Sequence, residues 1–363
     1  MECLLASNLI VVPLRAFCAL AVVLSISPGR VHAQQPAPPV APGATTPAQQ
    51  TPPSPSQEIP PAPANQKPIV STTGLVHLVA TVVDRHHNFI TDLDKDEFKV
   101  IESGVPQDIR FFSRETDLPL RIALLLDTSN SIRPRLEFEK DAAIDFLDKV
   151  IRRNKDLAFL MTFDNEPEVI QDYTGDNALL SSAIREQRAG GGTALNDAIC
   201  MASEKLQHAP QIKGQDSDVR RVIVVISDGN DNLSDHALSE AIDASIRSES
   251  SVFAVSTNTD WLAIDDANKP SKYAFADGDK ILKQFADQTG GTAFFPYRVD
   301  DLAQSFLDIG TELRSQYFIA YAPADPPPGG QYRRIDVQTT RKGLIVRTRK
   351  GYFAAPSPST PAR

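Results

Sequence analysis

The chain has 363 residues, room for one large domain or two ordinary ones. Its 46 acidic side chains against 37 Lys and Arg give a formal charge of −9. That balance excludes broad nucleic-acid binding, which needs dense positive surface. With Cys3 and Cys18 inside a removable leader, only Cys200 remains, so an internal disulfide is excluded as well.

In chain order, Leu9 to Ser27 is mostly apolar but interrupted by Pro13 and Arg15, and the clean stretch Ala16 to Ser27 is short for a bilayer span. Val31-His32-Ala33 then offers the small-x-small pattern of signal peptidase cleavage before Gln34. Residues 1–33 therefore read as a secretory signal, with an uncleaved anchor as the alternative. The expected mature chain has no integral membrane span and is secreted or held in the periplasm or cell envelope. Residues 34–68 are rich in Pro, Ala, Gln, Thr and Ser and nearly free of core formers, the composition of an extended disordered linker. Residues 354–363 read as a disordered tail.

Residues 69–116 form an N-terminal β segment with strands at Leu75–Val83, Phe98–Glu102 and Ile109–Phe112, separated by turns at Asp84–Asn88 and Gly104–Pro106. Three short strands bury too little to stand alone. Residues 316–353 supply three more: Tyr317–Tyr321, Tyr332–Thr339 and Gly343–Thr348. The economical expectation is one small β-sandwich-like unit made from both flanks, with a domain of residues 117–315 inserted between them. Basic residues from Arg333 to Lys350 alternate with Ile335, Val337, Leu344 and Val346, the pattern of a sheet with one basic face. A polyanion patch is the alternative.

Within 117–315, strand-like and helix-like segments alternate, the signature of an α/β fold: a mostly parallel sheet with helices on both faces. The strands are Ile122–Leu126, Leu157–Phe163, Val222–Ile226, Ser251–Val255 and Thr292–Phe295, with Pro167–Gln171 at an edge. Helices are predicted at Leu136–Val150, with Phe138 on its apolar face, and at Asn177–Glu186 and Ala194–Gln207. Further helices are predicted at Ser234–Ser248, with Ser234 as N-cap, and at Asp279–Asp287 and Asp300–Arg314. Cys200 falls on an apolar helical pattern and reads as a packing residue.

Three fragments of this domain carry chemistry. Asp127-Thr-Ser129-Asn-Ser131 follows one apolar strand, Asp228 lies just beyond another, and the glycines at 190–192 allow Thr193 to approach the same point. Asp127, Ser129, Ser131, Thr193 and Asp228 offer only oxygen, which suits Mg²⁺ or Mn²⁺ and not zinc or copper. Mg²⁺ seeks six oxygens and usually keeps water, so an exposed position stays open to a carboxylate from another molecule.

With these residues the chain from about Leu120 to Arg314 resembles a von Willebrand factor type A domain, and Asp127-x-Ser129-x-Ser131, Thr193 and Asp228 match that family's metal-ion-dependent adhesion site. The resemblance implies a doubly wound sheet and divalent-dependent binding of a protein ligand, often through its Asp or Glu. It also implies that the last helix shifts with ligand state. With its leader and β-rich flanks, the chain also looks like secreted bacterial proteins built around such a domain.

The expected function is thus adhesion-type protein binding. An envelope assembly or chaperone-like scaffold using the same ion is the alternative. Catalysis, such as a metal-dependent hydrolase, is disfavoured: the chain has no Gly-x-Ser-x-Gly elbow, Gly190–Thr193 lacks the Gly-Lys-Ser/Thr ending of a phosphate loop, and no His-Glu-x-x-His spacing occurs. His86-His87 reads as a polar turn.

Overall fold

The computed structural model describes residues 74–114, 118–213, 219–258, 277–296, 299–325 and 329–354. The segments read as a secretory signal and a Pro-rich linker fall outside them, as do residues 355–363 of the segment read as a tail; its first residue, Ala354, is instead buried, and its N–H donates to Gln331 O.

Strands β1 (Val76–Asp84), β2 (Phe98–Glu102), β3 (Val105–Gln107) and β4 (Ile109–Ser113) come first. An alternating run follows: β5 (Leu120–Asp127), α1 (Leu136–Val150), β6 (Leu157–Phe163), β7 (Pro167–Thr174), α2 (Asn177–Arg185) and α3 (Leu195–Gln207). It continues through β8 (Arg220–Ser227), α4 (Leu238–Arg247), β9 (Ser250–Ser256), α5 (Asp277–Thr289), β10 (Ala293–Phe294) and α6 (Val299–Glu312). The chain closes with β11 (Gln316–Tyr321), β12 (Tyr332–Thr339), β13 (Leu344–Arg347) and β14 (Gly351–Phe353).

The alternating run folds into a six-stranded sheet of order β10-β9-β8-β5-β6-β7, parallel except for the antiparallel edge strand β7. Every position of β5 is buried, as a strand covered on both faces must be. Ile122, Leu124 and Leu126 face a core shared with α1, α2 and α6. Ala123 and Leu125 face the opposite core, under α3, α4 and α5. The predicted α/β class is thus the observed one.

Two helices differ in detail from their sequence reading. In α1 the buried stripe runs Leu136, Glu139, Ala143, Phe146, Leu147 and Val150, whereas Phe138 is 51% exposed. Phe138 stands about 100° round the helix from Glu139, so it cannot share that stripe. Helix α4 begins at Leu238, not Ser234. The Ser234 hydroxyl is occupied elsewhere: it accepts from the Asp197 N–H in the first turn of α3 (3.1 Å) and donates to Asp231 (2.7 Å). The predicted cap serves a different helix.

The flanks pair with each other. Antiparallel sheets β13-β1-β11-β4 and β14-β12-β2-β3 enclose a core of Leu78, Val82, Phe98, Val100, Tyr317 and Ile335, among others. Strand β1 runs in register with β11, Val76 opposite Tyr321, so the chain leaves this sandwich after β4 and returns to it directly after α6. The segment read as a turn at Gly104–Pro106 continues into β3, whose Pro106 is tolerated because β3 is an edge strand. Along the basic C-terminal stretch, Arg341 pairs with Asp92 and Glu97, and Arg349 pairs with Glu249. These pairings neutralise the stretch locally, which argues against a polyanion patch.

Glu102 is a buried acid of the sandwich. Its carboxylate accepts from the Tyr321 hydroxyl at 2.8 Å and the Tyr352 hydroxyl at 3.3 Å. Tyr321→Phe removes the shorter bond without changing volume and is expected to destabilise the protein by about 1–3 kcal/mol in urea unfolding. An unchanged midpoint would show that Glu102 does not need that donor.

Candidate metal centre

Strands β5 and β8 are adjacent and parallel, with Leu126 opposite Ile226. Asp127 ends β5 and Asp228 directly follows β8, so both carboxylates leave the same, carboxyl-terminal sheet edge. Asp127 is fully buried; its Oδ1 accepts from the Ser129 N–H (2.8 Å) and its Oδ2 from the Ser227 hydroxyl (2.7 Å). The 3₁₀ turn Asn130–Ile132 then brings the Ser129 and Ser131 hydroxyls within 3.0 Å of each other.

The third fragment is laced to the first two through backbone. The Gly190 N–H donates to Thr128 O (2.7 Å), and the Asn130 N–H donates to Gly191 O (3.2 Å). On its other side Thr193 donates its N–H to Asn232 Oδ1 (3.0 Å) and accepts from the Asn232 and Leu233 N–H groups at 3.0 and 3.1 Å. Thr193 is therefore clamped to the loop that follows Asp228. Gly229 sets the path of that loop: its φ is +76°, and a Cβ there would lie 2.2 Å from Gly278 O in the first turn of α5. Only glycine permits both the left-handed backbone and that approach. The Asn258 amide completes the support, donating to Asp228 O (2.6 Å) and to Asp279 Oδ1 (2.9 Å).

The structure thus gathers the loops bearing all five predicted side chains on one edge. Sequence reasoning missed Ser227, which holds Asp127, and Asn232, which holds Thr193. It also missed Glu139, 1% exposed on α1, whose two carboxylate oxygens have no hydrogen-bond partner. The signal available in the sequence was an acid in the α1 stripe defined by Leu136, Ala143, Phe146 and Val150.

Burial raises the carboxyl of Asp127 to about 6, and the charge of Asp228 adds to the rise; hydrogen bonds from Ser129 and Ser227 oppose it. Glu139 is pushed up to about 8, by burial first and then by Asp127, with Asp228 adding and Arg135 opposing. Among the described residues, neither Asp127 nor Asp228 makes an ion pair with Lys, Arg or His. Nor do three His, Cys, Asp or Glu side chains among those residues form a ligand cage by themselves. The donors that could hold an ion are two carboxylates, hydroxyls and water, a set suited to a hard divalent cation. Cys200, by contrast, has its thiol pushed up to about 11 by burial, which makes it a poor ligand and nucleophile at neutral pH.

Residues 122–230 match the sequence profile of the von Willebrand factor type A domain. Among solved structures, a von Willebrand factor type A protein from Catenulispora acidiphila is similar at 14% identity, over 79% of this chain and 74% of that one, with a TM-score of 0.45. The vWF domain of the type V pili tip protein Mfa5 from Porphyromonas gingivalis is similar at 15% identity, over 55% of this chain and 96% of that one, with a TM-score of 0.42. Proximal thread matrix protein 1 from the mussel byssus, with a zinc-occupied MIDAS motif, is similar at 16% identity over 58% of this chain and 50% of that one, with a TM-score of 0.42. No curated protein matches the chain.

Because the Asp127 carboxyl lies at about 6 instead of 3.8, the folded, cation-free protein binds this proton more tightly than the unfolded chain. Its contribution to stability is therefore present below about 4 and lost as pH rises to about 6, a change of at most about 3 kcal/mol. In chelator, Asp127→Asn is expected to stabilise the protein by about 1–3 kcal/mol at pH 7.5 and by little at pH 4. Urea unfolding at the two pH values checks this; an equal effect at both would mean that the buried charge is not the cause.

Proposed function

Since residues 122–230 carry a von Willebrand factor type A domain, we propose that this chain is a divalent-cation-dependent protein-binding module. Domains of this family are typically interaction modules and not enzymes. The observation that carries the reading is a buried pair of carboxylates, Asp127 and Asp228, at one sheet edge with no Lys, Arg or His among the described residues paired to them, beside the hydroxyl pair Ser129 and Ser131.

A Mg²⁺ or Mn²⁺ ion fits that donor set. Asp127, Ser129, Ser131, Thr193 and Asp228 would hold it directly or through water. Ser131 is exposed while Asp127 and Ser129 are buried, so the group of donors reaches from the interior to the surface. An ion there retains a position facing solvent, where an Asp or Glu of a partner protein supplies the last oxygen. A carboxylate is the strongest oxygen donor that a partner protein offers to an open position on a hard divalent ion, which is the physical basis for preferring an acidic ligand. The chain acts outside the cytoplasm in this reading, consistent with the leader-like residues 1–33. Among the described residues no helix is long and apolar enough to cross a membrane.

Calorimetric titration of Mg²⁺ and Mn²⁺ into the wild-type protein is expected to give saturable one-site binding, lost in Asp127→Ala while the circular dichroism stays that of a folded α/β protein. Partner capture should then require the ion and disappear in chelator. Unchanged partner binding by Asp127→Ala in chelator would sink the mechanism.

A further inference from the structure

Helix α1 is entered from the Asp127–Ser131 loop, so its first turn stands next to the sheet edge that bears Asp127 and Asp228. Glu139 lies in that turn, with its N–H bonded to Arg135 O at 3.1 Å. The side chain occupies the core-facing stripe between Leu136 and Ala143, where an apolar residue would ordinarily pack. No hydrogen bond explains the acid: it is 1% exposed, and neither carboxylate oxygen meets a donor.

Buried polar atoms without partners are rare, because desolvation is then uncompensated. A glutamate that only filled space would be replaced at no loss by leucine or methionine. Its electrostatic neighbours give the direction in which it acts: Asp127 and Asp228 both feel its charge and disfavour it. Arg135, at the start of α1, offsets part of that repulsion but donates no hydrogen bond to the carboxylate, so the arrangement makes sense around further positive charge. The missing donor is therefore one that arrives with an ion. Glu139 is set back in the first turn of α1, outside the loops that bear the five donors, and is therefore placed to meet water on the ion instead of the ion itself. Water bound to a divalent cation is a strong donor, and Mg²⁺ in particular keeps several such waters.

We propose that Glu139 is a third carboxylate of the ion site, accepting hydrogen bonds from ion-bound water on the interior side and holding the cation before any partner arrives. The inference rests on the ion-binding reading above and adds to it a residue outside the five-residue motif. Its consequence is that the ion's charge is matched mainly from within the domain. Cation binding then precedes the partner and does not require it.

The test uses the full chain. Mg²⁺ is titrated calorimetrically at pH 7.5 into wild type, Glu139→Gln, Glu139→Leu and Asp127→Ala, and each protein is melted in chelator. Glu139→Gln and Glu139→Leu are expected to weaken Mg²⁺ about 10–100-fold, the usual loss when a group that orients a metal's ligands is removed. Both should melt in chelator at or above the wild-type temperature, because an uncompensated buried acid has gone. Wild-type affinity in both Glu139 variants, with binding lost in Asp127→Ala, overturns this inference alone. Absence of binding in wild type, or its retention in Asp127→Ala, overturns the ion-binding reading and this inference with it. If both Glu139 variants unfold in chelator, the carboxylate is a structural group and the proposal is wrong.

Discussion

A fully buried carboxylate at the end of a central parallel strand is the constraint around which this domain is arranged. Asp127 can be accommodated there only because Ser129 and Ser227 aim donors at its two oxygens. Those donors come from different strands' ends, so the Asp127 pocket exists only when β5 and β8 are paired in register. The same pairing delivers Asp228 beside it. Fold and site are thus one cooperative arrangement: an error of register in the central sheet would dismantle the donor set.

The second level of organisation is the way loops hold one another. Backbone bonds tie the Gly190–Gly192 segment to the loop after β5, and Asn232 ties Thr193 to the loop after β8. Three loops that would each be mobile alone become a single clamped surface, which is what precise positioning of oxygen donors requires. Gly229 lets α5 close on this surface from the side, with backbone against backbone.

Far from that edge, the flanking sandwich joins the two ends of the inserted domain. Pairing of β1 with β11 places the entry and exit of the domain side by side, so the sandwich and the domain constrain each other through chain connectivity. Further contacts stitch them together: the Lys350 N–H donates to Gln288 O at the end of α5, and Arg349 reaches Glu249 beside β9. A motion of α5 or α6 would therefore be felt by the sandwich.

Much of this was legible in the residues themselves. Uninterrupted apolar runs such as Ile122–Leu126 and Val222–Ile226 have few ways to be buried other than as central parallel strands, and an oxygen-only set after such strands limits the chemistry. What the sequence could not disclose depends on partners distant along the chain. Ser234 caps α3 and not α4 because Asp197 is brought to it in space. Phe138 lies outside because helical phase, not hydrophobicity, selects the buried stripe. Glu139 looks like any surface glutamate until its burial without a hydrogen-bond donor is seen. Local pattern determined which segments are strands and helices and which residue types can bind a hard ion, since those follow from side-chain periodicity and donor chemistry. Only the tertiary structure decided which side chains share that buried edge, because desolvation and charge act through space and not along the chain.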